Sequence, residues 1–264
     1  MDCCQETHRR ETHGRVLREH FGIAPESEQC VIALAGNPNV GKSTVFNALT
    51  GLHQHTGNWP GKTVDNAQGT FTYRQKPFLL VDLPGTYSIL AHTVEEQIAR
   101  DFICFGEPNA TIVVLDATCL ERNLNLALQV MEITPNVIVC INLMDEARKK
   151  DITINFSVLE KELGVPVVAT AARKGEGLNT LRETLYQVSI GARKSNPRQL
   201  VYSPSIEEAV QGLLPNIQRL VDHKLNPRWV ALRLLDGDKA FIESINRYLD
   251  FQPNWKLQEE AAAL

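Results

Sequence analysis

Eight consecutive residues, Gly36, Asn37, Pro38, Asn39, Val40, Gly41, Lys42 and Ser43, satisfy G-x-x-x-x-G-K-[ST], with Thr44 next in line. Such a loop turns successive backbone N–H groups, and the start of the helix that follows, toward phosphate oxygens. Lys42 would neutralise the terminal phosphates, and the Ser43 hydroxyl would be offered to Mg²⁺. Farther along, Asp82, Leu83, Pro84 and Gly85 follow an apolar run. A carboxylate there emerges at the carboxyl end of a strand, beside the phosphate loop, where Mg²⁺ takes a ligand through water; the Gly85 N–H can approach a terminal phosphate. Between these two motifs lies a polar segment of Gly57, Asn58, Trp59, Pro60, Gly61 and Lys62, followed by Thr63. It has too few apolar anchors to be rigid, so Thr63 is expected to offer its hydroxyl to Mg²⁺ only when the last phosphate is present.

Asn142, Leu143, Met144 and Asp145 close another apolar run. The Asp145 carboxylate can accept two hydrogen bonds from the N1–H and exocyclic amine of guanine, whereas adenine presents a bare acceptor at N1. A carboxylate left facing that acceptor is worth a discrimination on the order of several kcal/mol, so GTP and GDP are favoured over their adenine counterparts. Asn142 would tie this loop to the phosphate loop; equally, it can cap a helix with Asp145 in the first turn. Thr170, Ala171 and Ala172, followed by Arg173 and Lys174, end the last apolar run and could present a backbone N–H to guanine O6.

The elements that must hold these loops are readable from periodicity. Apolar runs of strand length at 31–35, 78–82, 111–116, 137–142 and 165–170 alternate with helical spacing at 43–50, 94–105, 123–133, 156–163 and 178–190. Runs apolar on successive residues suit a sheet covered on both faces. Residues 69–74 alternate and read as an antiparallel hairpin partner. The expectation is an α/β domain of Ras-like P-loop type, with a six-stranded, mostly parallel sheet and one antiparallel edge strand, over residues 30–192. A polar break near 191–199 leads to a small all-α domain at 200–250. There Asn226 before Pro227 reads as an N-cap, and Pro215 should bend or divide the helix that contains it. Residues 1–29 read as an extension with a short helix near 16–21, and residues 251–264 as a linker or tail.

Composition excludes other classes. Of 264 residues, 43% are hydrophobic, and 27 Lys plus Arg stand against 31 Asp plus Glu, a charge of −4 that gives no overall drive toward nucleic acid or anionic lipid. No run approaches a spanning helix or a signal peptide. Six cysteines without CxxC spacing point to a reducing, cytoplasmic compartment. Cys3, Cys4, His8 and His13 are ligand types for Zn²⁺ or Fe²⁺ but lack metal-site spacing, and a disordered tail is the preferred reading.

The five loops in this order are the pattern of the TRAFAC-type small GTPases. More closely, residues 36–43, 57–64, 82–87 and 142–145 resemble the cytosolic G domain of bacterial ferrous iron transport protein B. The segment with Arg228, Trp229, Ala231, Leu234, Leu235, Asp236, Gly237 and Asp238 resembles that family's helical, dissociation-inhibitor-like domain. The resemblance implies a GTPase that controls Fe²⁺ uptake through a membrane-spanning region in the inner membrane, with this part on its cytoplasmic face. It also implies possible small cytosolic regulators and self-association. K⁺ stimulation is implied as well, with Asn39 as the matching ligand and the backbone oxygens of Gly57 and Trp59 completing the site; Asn39 as a plain turn residue is the alternative. Thr86 stands after Gly85 where many GTPases place glutamine, so intrinsic hydrolysis is expected to be slow, with Thr86 or the backbone of the first switch holding the attacking water. Two readings of Trp59 stand side by side: exposure when the switch is open, or packing on the sheet edge.

Two competing classes fit the sequence less well. A ribosome- or tRNA-associated GTPase would carry a basic module, whereas Glu207, Glu208 and Asp222 interleave with Lys224 and Arg228 here. A phosphotransferase with another nucleotide is disfavoured by Asp145.

Overall fold

A computed structural model describes residues 18–26, 28–51, 54–90, 92–221 and 224–249. The candidate ligands Cys3, Cys4, His8 and His13, the first part of the 16–21 helix, Asp222 and the 251–264 tail lie outside the described residues. The chain divides into two compact units, one ending at Arg198 and the other beginning at Gln199.

The first unit is built on a seven-stranded sheet: β1 (Cys30–Gly36), β2 (Gln54–Asn58), β3 (Asp65–Tyr73), β4 (Lys76–Asp82), β5 (Ala110–Asp116), β6 (Val137–Asn142) and β7 (Val167–Ala169). The order is β2-β3-β4-β1-β5-β6-β7. Strands β4, β1, β5, β6 and β7 run parallel, while β3 is antiparallel to both β2 and β4. Every residue of β1 and β6 is buried, as continuous apolar runs require when helices cover both faces.

The sheet has one strand more than expected. Gln54–Asn58, of sequence QHTGN, carries no hydrophobic pattern and becomes a strand because β3 offers it an open edge, with Thr56 opposite Ala67 and Gly57 opposite Asn66. The one strand that opposes the rest is β3, as expected for residues 69–74, but it lies inside the sheet, with β2 added beyond it as the edge.

The helices of this unit are α1 (Lys42–Thr50), α2 (Val94–Phe105), α3 (Leu120–Ile133), α4 (Met144–Lys149), α5 (Phe156–Leu163) and α6 (Leu178–Ser189). Because β1 lies between β4, reached through the hairpin, and β5, reached through α2, the chain reverses its direction of travel across the sheet at β1. The crevice outside the carboxyl ends of the strands opens there.

The second unit contains α7 (Pro204–Val221), α8 (Pro227–Leu235) and α9 (Lys239–Leu249). Pro215 does not divide α7. A single proline forfeits one backbone hydrogen bond, and the buried stripe of Val210, Leu213, Ile217 and Val221 holds the helix continuous across it. Asn226 caps α8, its side chain accepting from the N–H groups of Arg228 and Trp229. Trp229 packs edge-on against Phe241 with centroids 4.5 Å apart. Arg228 is bidentate on Glu207 at 2.7 Å and also donates to the Leu200 carbonyl. No helix among the described residues is long and apolar enough to cross a membrane.

Candidate functional site

The loop between β1 and α1 carries Asn37 to Gly41. Two residues turn it through left-handed conformations, Asn39 at φ 67° and Gly41 at φ 80°. Asparagine tolerates that region better than other side chains, and it leaves Asn39 exposed at the crest of the loop. Gly41 is required on two counts, since a Cβ there would stand 2.5 Å from the Asn142 amide nitrogen. Pro38 is half-buried, Val40 is packed into the core, and Ser43 and Thr44 are exposed on the first turn of α1. Asn37 is buried, and its Oδ1 has no hydrogen-bond partner among the described residues.

Strand β4 delivers Asp82 beside Lys42. The two form a hydrogen-bonded ion pair with side chains 16% and 11% exposed. Burial raises the Asp82 pKa, and the charge and hydrogen bond of Lys42 pull it back. After Asp82 the chain continues toward β1, with Leu83 N–H donating to Leu34 O and Thr86 N–H to Gly36 O. Gly85 is exposed, and Thr86 is turned inward and buried. Gln129 on α3 fixes the next stretch, its Oε1 accepting from Ser88 Oγ at 3.1 Å and from the Ile89 N–H at 2.9 Å. Sequence reading gave no sign of Gln129, because its partners lie 40 residues away.

A third group surrounds Asn142 at the end of β6. Its Nδ2 donates to the Val40 carbonyl, and its Oδ1 accepts from the Thr170 hydroxyl and the Ala172 N–H, all at 3.1 Å. Beneath it Cys140 Sγ lies 3.3 Å from Thr170 Oγ1, and burial pushes that thiol up to about 12. Leu143 takes φ 61°, a strained conformation for a branched side chain, and so starts α4 with Asp145 in its first turn. The Met144 N–H donates to Thr170 O. The Asp145 carboxylate is 12% exposed and has Lys174 Nζ 3.6 Å away. The loops of 36–43, 142–145 and 170–174 are thus one connected hydrogen-bonded assembly, with Asp82 joined to it through Lys42.

The segment of Gly57, Trp59 and Thr63 differs from the expectation of a loop without anchors. Gly57 sits in β2, and Trp59 is 2% exposed, its ring packed against Phe21 and Phe102. Thr63 is exposed on the turn that joins β2 to β3. The anchors were invisible in the segment itself because both lie far away in the sequence.

The donor chemistry suits the expected ions: the Ser43 and Thr63 hydroxyls and the Asp82 carboxylate are hard oxygen ligands of the kind Mg²⁺ takes, and Asn39 presents an amide oxygen suited to a monovalent cation. Among the described residues there is no cluster of three or more His, Cys, Asp or Glu. A cavity of about 500 Å³ between Phe156, Lys161, Pro166 and Arg193 lies at the amino end of β7, the opposite end of the sheet from these loops.

Residues 30–185 match the family model of ferrous iron transport protein B, and residues 202–264 match that of the FeoB cytosolic helical domain. A Porphyromonas gingivalis Fe(2+) transport protein A/Fe(2+) transporter FeoB fusion protein is 37% identical over 235 residues, covering 88% of this chain and 27% of the relative. The chain thus spans about a quarter to a third of the curated relatives it matches. Among solved structures, the cytosolic domain of the T. maritima FeoB iron transporter in a GDP form superposes with a TM-score of 0.76 at 35% identity, covering 90% of this chain and 94% of that one. The same domain in its GMPPNP form gives 0.74 at 34% identity, covering 89% and 97%. With both units accounted for in sequence and the folded domain matched nearly end to end, the chain belongs to the ferrous iron transport protein B family.

Proposed function

We propose that this chain binds GTP and hydrolyses it to GDP and phosphate, and that the cycle switches loops controlling Fe²⁺ uptake through a membrane-spanning transporter region. The reading places the chain on the cytoplasmic face of the inner membrane. The observation that carries it is the assembly around Asn142, which holds a phosphate-binding loop and a carboxylate for guanine in one rigid piece.

On this reading each loop has a role. The loop of Asn37 to Thr44 receives the phosphates through its backbone N–H groups, which every residue but Pro38 carries, and through the Lys42 ammonium, Lys42 exchanging the Asp82 carboxylate for phosphate oxygens. Asp145 selects guanine, whereas the N–H groups of Thr170, Ala171 and Ala172, expected to reach guanine O6, donate instead to Ile141 O, Glu176 O and Asn142 Oδ1. Mg²⁺ would be held by Ser43, Thr63 and, through water, Asp82, and K⁺ by Asn39 with the carbonyls of Gly57 and Trp59; bound there, both neutralise charge on the phosphates. In the reaction the oxygen of water joins the γ-phosphorus while the bond to the bridging oxygen breaks, and Gly85 donates its N–H to the γ-phosphoryl group. Thr86 follows where a long amide side chain would orient that water, so turnover without a stimulating ion is slow.

The test is calorimetry with GDP and ADP, then GTP turnover in KCl and NaCl. Binding of GDP at least a hundredfold tighter than ADP supports the reading, and equal affinities overturn it. K⁺ should stimulate the parent but not Asn39→Ala; equal rates in both salts, or full stimulation of the variant, would remove the monovalent-ion assignment.

A further inference from the structure

We propose that residues 18–23, which precede the start of the family match at residue 30, are a brake on the switch segment, with Phe21 as the residue that positions Trp59. The proposal rests on the GTPase reading above.

These residues are strapped to the domain at both ends. Arg18 donates from Nε to Gly106 O at 2.9 Å and from Nη2 to Glu107 O at 2.6 Å, meeting carbonyls at the carboxyl end of α2. The N–H groups of Phe21 and Ile23 both bond back to Arg18 O, closing a turn. Gly22 O accepts from Gln68 on β3. Phe21 and Ile23 are 4% and 0% exposed. Phe21 meets Phe102 of α2 edge-on at 5.4 Å and Trp59 at 6.4 Å, and Trp59 meets Phe102 at 5.6 Å. Three rings from three segments therefore close on one another: the strap, the helix that follows the Asp82 to Thr86 loop, and the segment assigned to K⁺ and Mg²⁺.

Trp59 is held in a resting pose. Its N–H donates to Val64 O, and its carbonyl, the one assigned to K⁺, already accepts from the Lys62 N–H at 2.9 Å. Its indole Nε1 is buried with no hydrogen-bond partner among the described residues. An unsatisfied buried donor favours a ring that moves out to water, so aromatic packing is what keeps Trp59 in. For Thr63 and the two carbonyls to reach a nucleotide, that packing must yield, and the apparent affinity for the activating ion falls by the fraction of chains already released. The strap sets that fraction.

The experiment compares the parent with Phe21→Ala, Arg18→Ala and Phe21→Tyr. Removing the edge-on contacts should raise K⁺-stimulated turnover about fivefold, which is ~1 kcal/mol at 1.4 kcal/mol per decade, with the KM for GTP unchanged. Acrylamide quenching assigned to Trp59, by difference from the matching Trp59→Phe chain, should rise in Phe21→Ala and return to the parent level in Phe21→Tyr. Arg18→Ala leaves the rings in place and frees the strap, so it should shift both readouts the same way even where Phe21→Ala does not fold. GDP affinity, set at the far side of the site, should stay within twofold. A folded variant whose turnover is unchanged or lowered, or whose Trp59 is no more accessible, overturns the proposal. A parent chain that neither binds GDP nor hydrolyses GTP instead overturns the GTPase reading, and the quenching comparison still reports whether the strap holds Trp59.

Discussion

The bonds of Asn142 can be taken apart by two substitutions. Asn142→Asp keeps an oxygen to accept from Thr170 and Ala172 but replaces the donor to Val40 O, 3.1 Å away, with a second carboxylate oxygen. The lost hydrogen bond is worth about 1 kcal/mol, and a buried carbonyl left without a partner costs about 1–3 kcal/mol more. The loop of Asn37 to Gly41 should therefore lose at least about 2 kcal/mol of its fixed geometry, and GDP affinity should fall about 30-fold at 1.4 kcal/mol per decade. Asn142→Ala strands all three partners and Asn142→Asp buries a carboxylate oxygen against the Val40 carbonyl, so both should also lower the urea midpoint of the first unit. Calorimetric GDP titration of both variants, alongside urea denaturation, separates the two effects. An Asn142→Asp chain that binds GDP within threefold of the parent would refute the claim that this amide couples the base-reading loop to the phosphate loop.

Two further outcomes follow from ion pairs. On the proposed function guanine displaces Lys174 from Asp145, and a pair with Lys174 52% exposed is worth about 0.2–1 kcal/mol, so Lys174→Ala should tighten GDP binding by up to about fivefold at low salt. The gain should vanish near 1 M salt, where the screening length is about 3 Å, and weaker binding at low salt would contradict it. In the second unit, hydrogen bonds from Arg228 and the Tyr202 N–H pull Glu207 down from 4.5 to about 2. Its folded pKa lies below its unfolded one, so the stabilisation is complete above 4.5 and is lost as pH falls toward 2. Glu207→Gln should melt earlier than the parent at neutral pH, with the two converging at the acid end; a constant difference would exclude this origin.

What could be read in advance was whatever local pattern determines. Strands β1, β4, β5 and β6 are buried on both faces and announce themselves as apolar runs. The loop of 36–43 fixes its own turns, and Asn226 with Pro227 starts α8 by local chemistry alone. β2 was illegible because its strand character belongs to the edge of β3 and not to QHTGN. The anchoring of Trp59 was illegible for a related reason: Phe21 and Phe102 approach it from 38 residues before and 43 residues after, and only the folded chain brings the three rings together. Pro215 does not divide its helix, since a local rule about helix interiors yielded to a buried stripe of Val210, Leu213, Ile217 and Val221 on both sides of it.

The same contrast explains how the site is energised. Two charges assigned to nucleotide recognition, on Lys42 and Asp145, each have a partner within the protein: Asp82 and Lys174. A largely buried ammonium or carboxylate without a partner costs several kcal/mol, so a site built of unpaired charges would strain the fold between turnovers. On the proposed function nucleotide binding is an exchange, in which Lys42 would trade a carboxylate for phosphate oxygens and Asp145 an ammonium for the guanine edge. The exchange returns Asp82, whose pKa burial already raises, to the search for a cation. A metal ion held by Ser43, Thr63 and Asp82 would supply the positive charge that Lys42 gives up, which is why the carboxylate, the one charge the protein cannot leave bare, suits that place.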